Sequence, residues 1–222
     1  MSNDPTIIVR NLGQAAYLDT WRAMQAFTQH RDATTPDEIW ILEHPPVFTQ
    51  GQNGKAEHVL APGKIPVIPV DRGGQVTYHG PGQIVAYILL DIQRKKFNVR
   101  QLVHLLEQAV IDVLTFYHIE SFSKCEAPGV YVNHSKICSI GLRIRRGATF
   151  HGLALNVDMD LEPFKRINPC GFSGLNVIQM KDLNPTVTLA DVKHKLIACL
   201  LKNLGYNTDF NLAKKSYGTE NN

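Results

Sequence analysis

The sequence predicts a mixed α/β domain, a mixed β-sheet flanked by helices, and three observations carry that expectation. The run Ile84–Leu90 is apolar at all seven positions, the pattern of a strand buried on both faces. Two segments, Asn98–Tyr117 and Thr188–Leu204, repeat apolar side chains at helical spacing behind a capping residue. Lys136–Ile144 and Thr149–Val157 are β-prone runs separated by Gly147, which reads as an antiparallel hairpin.

The elements follow in order along the chain. Thr6–Val9 is a short β-prone segment, and Gln14–His30 places Tyr17, Trp21, Met24 and Phe27 near helical spacing. Ile39–Leu42 is a buried-strand candidate halted by His44-Pro45-Pro46. Five of the twelve prolines fall between Pro45 and Pro69, with Gly51, Gly54 and Gly63 among them, so this stretch reads as a long irregular loop of the functional kind. Val67–Val70 and Val76–Tyr78 are short strands around Gly73-Gly74, and Ile84–Leu90 is the central strand. In the helix Asn98–Tyr117, Asn98 and Gln101 form a capping box, and Leu102, Leu105, Leu106, Ala109, Val113 and Tyr117 form one stripe. Gly129–Val132 precedes the hairpin, and Ile167–Asn176 is turn-rich. Thr188 with Asp191 opens the last helix, striped by Val192, Leu196, Leu200 and Leu204, with Gly205 at C′. With 222 residues and neither repeat nor low-complexity linker, residues 1–213 are expected to form one domain and 214–222 a frayed polar tail.

Composition narrows the function classes. With 44% hydrophobic and 19% charged residues the chain can bury a core without staples. Its longest apolar run is seven residues where a membrane span needs about 20, and Met1–Pro5 lacks a secretory pattern; neither a membrane nor a secreted protein is expected. A net charge of +3 is too small to mark a nucleic-acid partner. The four cysteines, Cys125, Cys138, Cys170 and Cys199, show no CxxC pairing, so reduced thiols in a cytoplasmic protein are expected. No HExxH or Cys/His ligand spacing occurs, and no metal is expected.

Three segments combine tight backbone with reactive side chains. Arg72-Gly73-Gly74-Gln75-Val76-Thr77-Tyr78-His79-Gly80-Pro81-Gly82-Gln83 holds four glycines in twelve residues. It is a glycine-rich turn or a backbone bent around a ligand, and it lacks the GxGxxG order and Walker lysine of a phosphate cradle. Lys136-Ile137-Cys138-Ser139-Ile140-Gly141-Leu142-Arg143 leads to His151-Gly152-Leu153-Ala154-Leu155-Asn156. Lys136 is a solvated strand end or a pocket ammonium; strand parity would then put Cys138 on its face. His151 is a packed histidine or a pocket residue. In Ile167-Asn168-Pro169-Cys170-Gly171-Phe172, a cysteine between proline and glycine sits on a turn that can present its sulfur to a cleft. Cys199 reads as a small core residue, and Cys125 carries no evident role.

Together RGGQVTYHGPGQ, APGVYV, KICSIGLRIRRGATFHGLALNV and INPCG, in this order, resemble the octanoyltransferases of lipoate biosynthesis, from about Ile39 to Gly174. Cys138 stands where that family has a small unreactive residue, and Tyr131 where it commonly has tryptophan. The resemblance implies the α/β fold of biotin and lipoate ligase catalytic domains. It also implies transfer of an octanoyl or lipoyl group from acyl carrier protein to a lysine of lipoyl domains, those of 2-oxo acid dehydrogenase complexes and the glycine cleavage H protein, by a monomer without cofactor. Cys170 would be the acyl-accepting nucleophile and Lys136 its acid/base partner. Arg72, Gly73, Gly74, Gln75, Val76, Thr77, Tyr78, His79, Ser139, Ile140, Gly141, Gly152, Leu153 and Ala154 would line the acyl pocket. A free thiol is only about 3% thiolate at pH 7, so a neighbouring cation helps, and burial is expected to lower the lysine pKa so that it can pass protons. An octanoyl chain burying about seven carbon groups would gain on the order of 5–6 kcal/mol. The basic run Arg143, Arg145, Arg146 is a carrier-protein contact or a solvated hairpin face. Three rivals remain: an ATP-dependent lipoate- or biotin-type ligase, a cysteine acyl-thioester hydrolase using His79 or His151, and a non-catalytic carrier-binding module.

Overall fold

The computed structural model describes residues 7–207 and the short strand Ala213–Lys214; of the tail expected at 214–222, Lys214 instead pairs with Asn11 in the sheet, and 215–222 lie outside the described residues. In chain order the elements are β1 (Ile7–Gln14), α1 (Tyr17–His30), β2 (Asp37–Glu43), β3 (Val47–Gln50), β4 (Val67–Pro69), β5 (Val76–His79), β6 (Gln83–Leu89), α2 (Val99–Phe116), β7 (Phe122–Ser123), β8 (Gly129–Val132), β9 (Ser135–Arg145), β10 (Ala148–Asn156), α3 (Met180–Leu183), α4 (Leu189–Asn203) and β11 (Ala213–Lys214). They build an eight-stranded mixed sheet in the order β11-β1-β2-β6-β10-β9-β8-β7 and a three-stranded sheet in the order β4-β3-β5.

The apolar run takes its place as β6, antiparallel to β2 on one side and β10 on the other. Its uniform apolarity follows from helices on both faces. Ile84, Ala86 and Ile88 join the larger core with Leu102, Leu106 and Val110 of α2 and Val192, Leu196 and Leu200 of α4. Val85, Tyr87 and Leu89 face the other way, toward Met24 of α1 with Trp40 and Phe150. Period-2 alternation thus feeds two apolar layers instead of one apolar and one wet face.

Helix boundaries follow their caps. The Asn98 side chain accepts from Gln101 N while the Gln101 side chain accepts from Asn98 N, a complete capping box. Thr188 Oγ1 accepts from Asp191 N at the start of α4, and Gly205 closes that helix with a left-handed φ of 69°. No described helix is long and apolar enough to cross a membrane.

The structure corrects the reading of residues 45–69. That stretch is not one irregular loop, because it contains β3 and β4, which join β5 in the smaller sheet. Pro69 ends β4, whose one strand partner among the described residues is β3, so the missing proline N–H falls on the outer side of that pair. The first strand also runs longer than expected, to Gln14, with a register shift at Gly13, and α1 begins only at Tyr17.

Candidate active site

Lys136 and Cys170 meet although they lie 34 residues apart. Cys170 sits in the single turn Pro169–Gly171 with φ 57° and ψ 15°, followed by Gly171 at φ 79°. Proline fixes the entry to this turn and glycine makes its exit easy. The loop is pinned at both ends by main-chain bonds. Asn168 N donates to His58 O at 2.8 Å, Lys136 N donates to Asn176 O at 2.8 Å, and Ile178 N donates to Lys136 O at 3.0 Å. Lys136 Nζ then reaches Cys170 Sγ at 3.1 Å and Pro128 O at 3.0 Å, 5.2 Å from the centre of the Tyr131 ring. Only 3% of Lys136 is exposed, so the solvated strand end is excluded. Burial pulls its pKa down, but the Cys170 sulfur and the Tyr131 phenol outweigh this and leave it raised. The expectation of a lowered lysine pKa is therefore corrected: the resting pair holds an ammonium.

Strand parity fails at this point, for an identifiable reason. Val130 of β8 pairs with Cys138, but the next residue, Tyr131, pairs with Lys136. Ile137 is the extra residue of a β-bulge, which turns Lys136 to the face opposite Cys138. Cys138 is fully buried in the larger core, and burial pushes its thiol up to about 12. It shares no face with the reactive pair. Cys138→Ala is expected to leave acyl transfer within about twofold while lowering stability by about 1 kcal/mol through lost packing. Parallel kinetics and thermal unfolding check this, and a loss of transfer matching that of Cys170→Ala would move the nucleophile to Cys138.

A small cavity that opens to solvent lies among β5, β6, β9 and β10, and neither Lys136 nor Cys170 is among its lining residues. Its walls include Arg72, Thr77, His79, Ser139, Ile140, Gly141, His151, Gly152, Leu153 and Ala154, so ten of the residues singled out from the sequence meet around one space. The others do not line it. On β5, Val76 and Tyr78 point to a separate cluster with Phe48 and Phe164, while Thr77 and His79 take the cavity side by alternation. Gly73 N is bonded to Leu142 O and Gly74 O accepts from Asn53 N, so these two glycines brace the wall from outside. Gln75 packs against Gly171, leaving 3.0 Å for any added Cβ there, and thus supports the Cys170 turn. Gly152 crosses β6 so closely that a Cβ would lie 2.0 Å from Ala86 O.

Sequence reasoning missed Tyr17, Val85 and Tyr87, which complete the lining. Tyr87 is the one hydroxyl in the otherwise hydrocarbon run Ile84–Leu90, and that was the available signal. It also missed Thr49, which carries the buried Arg72: Arg72 Nη2 donates to Thr49 O at 2.6 Å and to Oγ1 at 2.9 Å. The chain continues from Thr49 Oγ1 to His79 Nε2 (3.3 Å), from His79 Nδ1 to Gln83 Oε1 (2.7 Å), and from Gln83 Nε2 to Asn156 Oδ1 (2.9 Å). Asn156 Nδ2 donates to Ile178 O at 3.1 Å, next to the main-chain bond that holds Lys136. Every member has a partner, as burial requires. Burial pushes His79 down to about 3 and His44 to about 4, so both are neutral at pH 7. Among the described residues no group of three or more His, Cys, Asp or Glu is placed to hold a metal ion. Of the basic run, Arg143 donates to Gln52 Oε1 at 2.7 Å, and Arg145 and Arg146 are exposed at the hairpin tip.

The chain is 59% identical over 203 residues to an octanoyltransferase of Shewanella sp. (strain ANA-3), covering 91% of this chain and 94% of that one. It is 59% identical over 205 residues to an octanoyltransferase of Cellvibrio japonicus, covering 92% and 95%. The fold matches a bi-partite lipoate protein ligase from Thermoplasma acidophilum with a TM-score of 0.73 at 17% identity, over 96% of this chain and 89% of that one. The model of the lipoyl protein ligase A/B catalytic domain matches residues 16–201, and the chain belongs to that family.

Proposed function

We propose that this chain is an octanoyltransferase that moves a medium-chain acyl group from a carrier-protein thioester to a lysine of a lipoyl domain, through a thioester on Cys170. The observation that carries the reading is the 3.1 Å contact between a buried lysine and a turn-borne cysteine, with a cavity walled by Ile140, Leu153 and Ala154 farther along the hairpin strands that carry the lysine. The Cys170 thiolate attacks the donor carbonyl, the donor C–S bond breaks, and the departing sulfur takes a proton from Lys136. Acylation removes the charge that raised the lysine pKa. Burial then weighs more heavily against the charged form, and the amine left neutral by the proton transfer acts as the base. The acceptor amine attacks, gives its proton to Lys136, and the Cys170 C–S bond breaks to leave an amide and the restored ion pair. An ATP-dependent ligase would have no use for this thiol.

In this reading the chain is one catalytic domain that extends through Lys214 of β11, one residue past the expected boundary at 213, acting as a monomer in the cytoplasm. The four cysteines are all free thiols, which fits a reducing compartment. Acceptors are the lipoyl domains of 2-oxo acid dehydrogenase complexes and the glycine cleavage H protein. Arg145 and Arg146 supply charge to steer an acidic donor, so reversing both is expected to raise the KM for carrier protein about three- to tenfold and to flatten its salt dependence. An unchanged KM assigns them to a solvated hairpin tip. The reading as a whole is tested by intact mass spectrometry after mixing with octanoyl carrier protein. One octanoyl adduct mapping to Cys170 and discharged by an acceptor domain is expected, and no adduct under conditions of turnover overturns it.

A further inference from the structure

Glu107 is a buried carboxylate that nothing described so far uses. It lies on α2, whose Leu106, Val110 and Leu114 belong to the larger core, and is 6% exposed. Glutamate is seldom buried without a partner, yet Glu107 forms no salt bridge among the described residues. Its Oε1 instead accepts from Gly129 N at 3.0 Å.

The N–H of Gly129 belongs to the same peptide group as Pro128 O, which accepts from Lys136 Nζ at 3.0 Å. A trans peptide is planar, with its N–H and C=O opposed, so a bond to one end aims the other. Carboxylate, peptide, ammonium and sulfur therefore form one line of contacts, from Glu107 Oε1 through Gly129 N and Pro128 O to Lys136 Nζ and Cys170 Sγ. In a buried chain of this kind each hydrogen bond polarises the next. The peptide fits closely against the lysine: Gly129 has a φ of 136°, and a Cβ there would lie 3.0 Å from Lys136 Cε and 2.4 Å from Cys138 O. On the other flank of Pro128, Tyr131 Oη donates to Ala127 O at 2.8 Å.

We propose that Glu107 is a positioning residue for Lys136, acting through the Pro128–Gly129 peptide to keep the amine beside Cys170 after the sulfur has been acylated. This deepens the transferase reading above and rests on it. In the resting pair the ammonium is held by the sulfur and by Pro128 O. In the acyl-enzyme the sulfur carries no charge and the amine is neutral, so Pro128 O becomes its principal acceptor. One N–H committed to that oxygen keeps the amine in place, with its lone pair free for the proton of the acceptor. The test separates the half-reactions in single turnovers: octanoylation of Cys170 by octanoyl carrier protein, then discharge by a lipoyl domain, each followed by intact mass. Glu107→Leu removes the acceptor of Gly129 N and leaves an apolar side chain in an apolar setting. Discharge is expected to slow about tenfold more than octanoylation, the worth of one buried hydrogen bond. Glu107→Gln keeps an oxygen for Gly129 N and is expected to return that ratio to within about threefold of wild type. Equal slowing of both halves, no slowing, or a Gln variant no better than Leu makes Glu107 a structural anchor and overturns the proposal. Should Glu107→Leu fail to fold, the Gly129 amide proton of the wild type decides. It is expected to move upfield when Cys170 is octanoylated, because the lysine that polarises the peptide has lost its charge, and a resonance that stays in place overturns the proposal. Octanoylation and discharge with an unchanged ratio sink this inference alone, whereas a wild type that takes no octanoyl group sinks the transferase reading and this inference with it.

Discussion

Cys170→Ala is expected to reduce transfer by on the order of 10³-fold or more, because every step passes through the sulfur. The fold should survive. Alanine occupies a left-handed position about as well as cysteine does, and Pro169 and Gly171 continue to define the turn. Lys136 Nζ keeps its bond to Pro128 O, so the ammonium is not orphaned, and stability should stay within about 1 kcal/mol of wild type. Three measurements on one sample check this: transfer rate, acyl adduct by intact mass, and thermal unfolding. Normal turnover in the folded variant would remove the covalent mechanism.

The second large effect belongs to Lys136. Replacing it with alanine should slow transfer about 10²- to 10⁴-fold, since the variant loses both the charge beside the sulfur and the group that carries the proton between steps. Alkylation of Cys170 by iodoacetamide should slow at neutral pH and recover only at higher pH, because a cation favours thiolate and its removal favours thiol. Lys136→Arg separates the two roles. Arginine keeps the charge but does not release its proton, so its labelling curve should lie between the others while transfer stays near that of Lys136→Ala. Three superimposable labelling curves would mean that the lysine does not tune the sulfur, and the pair would have to be abandoned.

Much of this architecture could be read from periodicity. Ile84–Leu90, the capped helices at Asn98 and Thr188 and the hairpin about Gly147 each repeat a local pattern over enough residues to be unambiguous. What escaped was short or non-local. Val47–Gln50 is four residues between proline-rich flanks, and Phe122–Ser123 is two; neither is long enough to show a period. At the site, the tight turn around Cys170 and the glycine-rich segment before β5 were visible, because proline and glycine announce backbone geometry. The face of Lys136 was not. A bulge of one residue at Ile137 inverts strand parity, and nothing local in Lys136-Ile137-Cys138 announces it. The direction of the lysine pKa was missed because burial alone was weighed: the resemblance already paired Lys136 with Cys170, but the charge of that sulfur and the Tyr131 phenol outweigh burial.

The two main-chain tethers of the Cys170 loop have a consequence for how this scaffold can diversify. The separation of lysine and sulfur is set by peptide groups at Asn168, Asn176 and Ile178, which any residue other than proline could supply. The Phe172 main-chain N closes the Cys170 turn on Pro169 O at 3.1 Å, but the side chains of Phe172, Ser173 and Leu175 contribute no hydrogen bond to that separation, and Phe172 and Ser173 stand exposed. Sequence drift there would reshape the doorway and leave the spacing of the reacting atoms alone. Geometry and access are thus inherited separately, and a new donor or acceptor could be accommodated through the side chains of Phe172, Ser173 and Leu175, with Gly174 kept for its left-handed φ of 76°, without retuning the chemistry behind them.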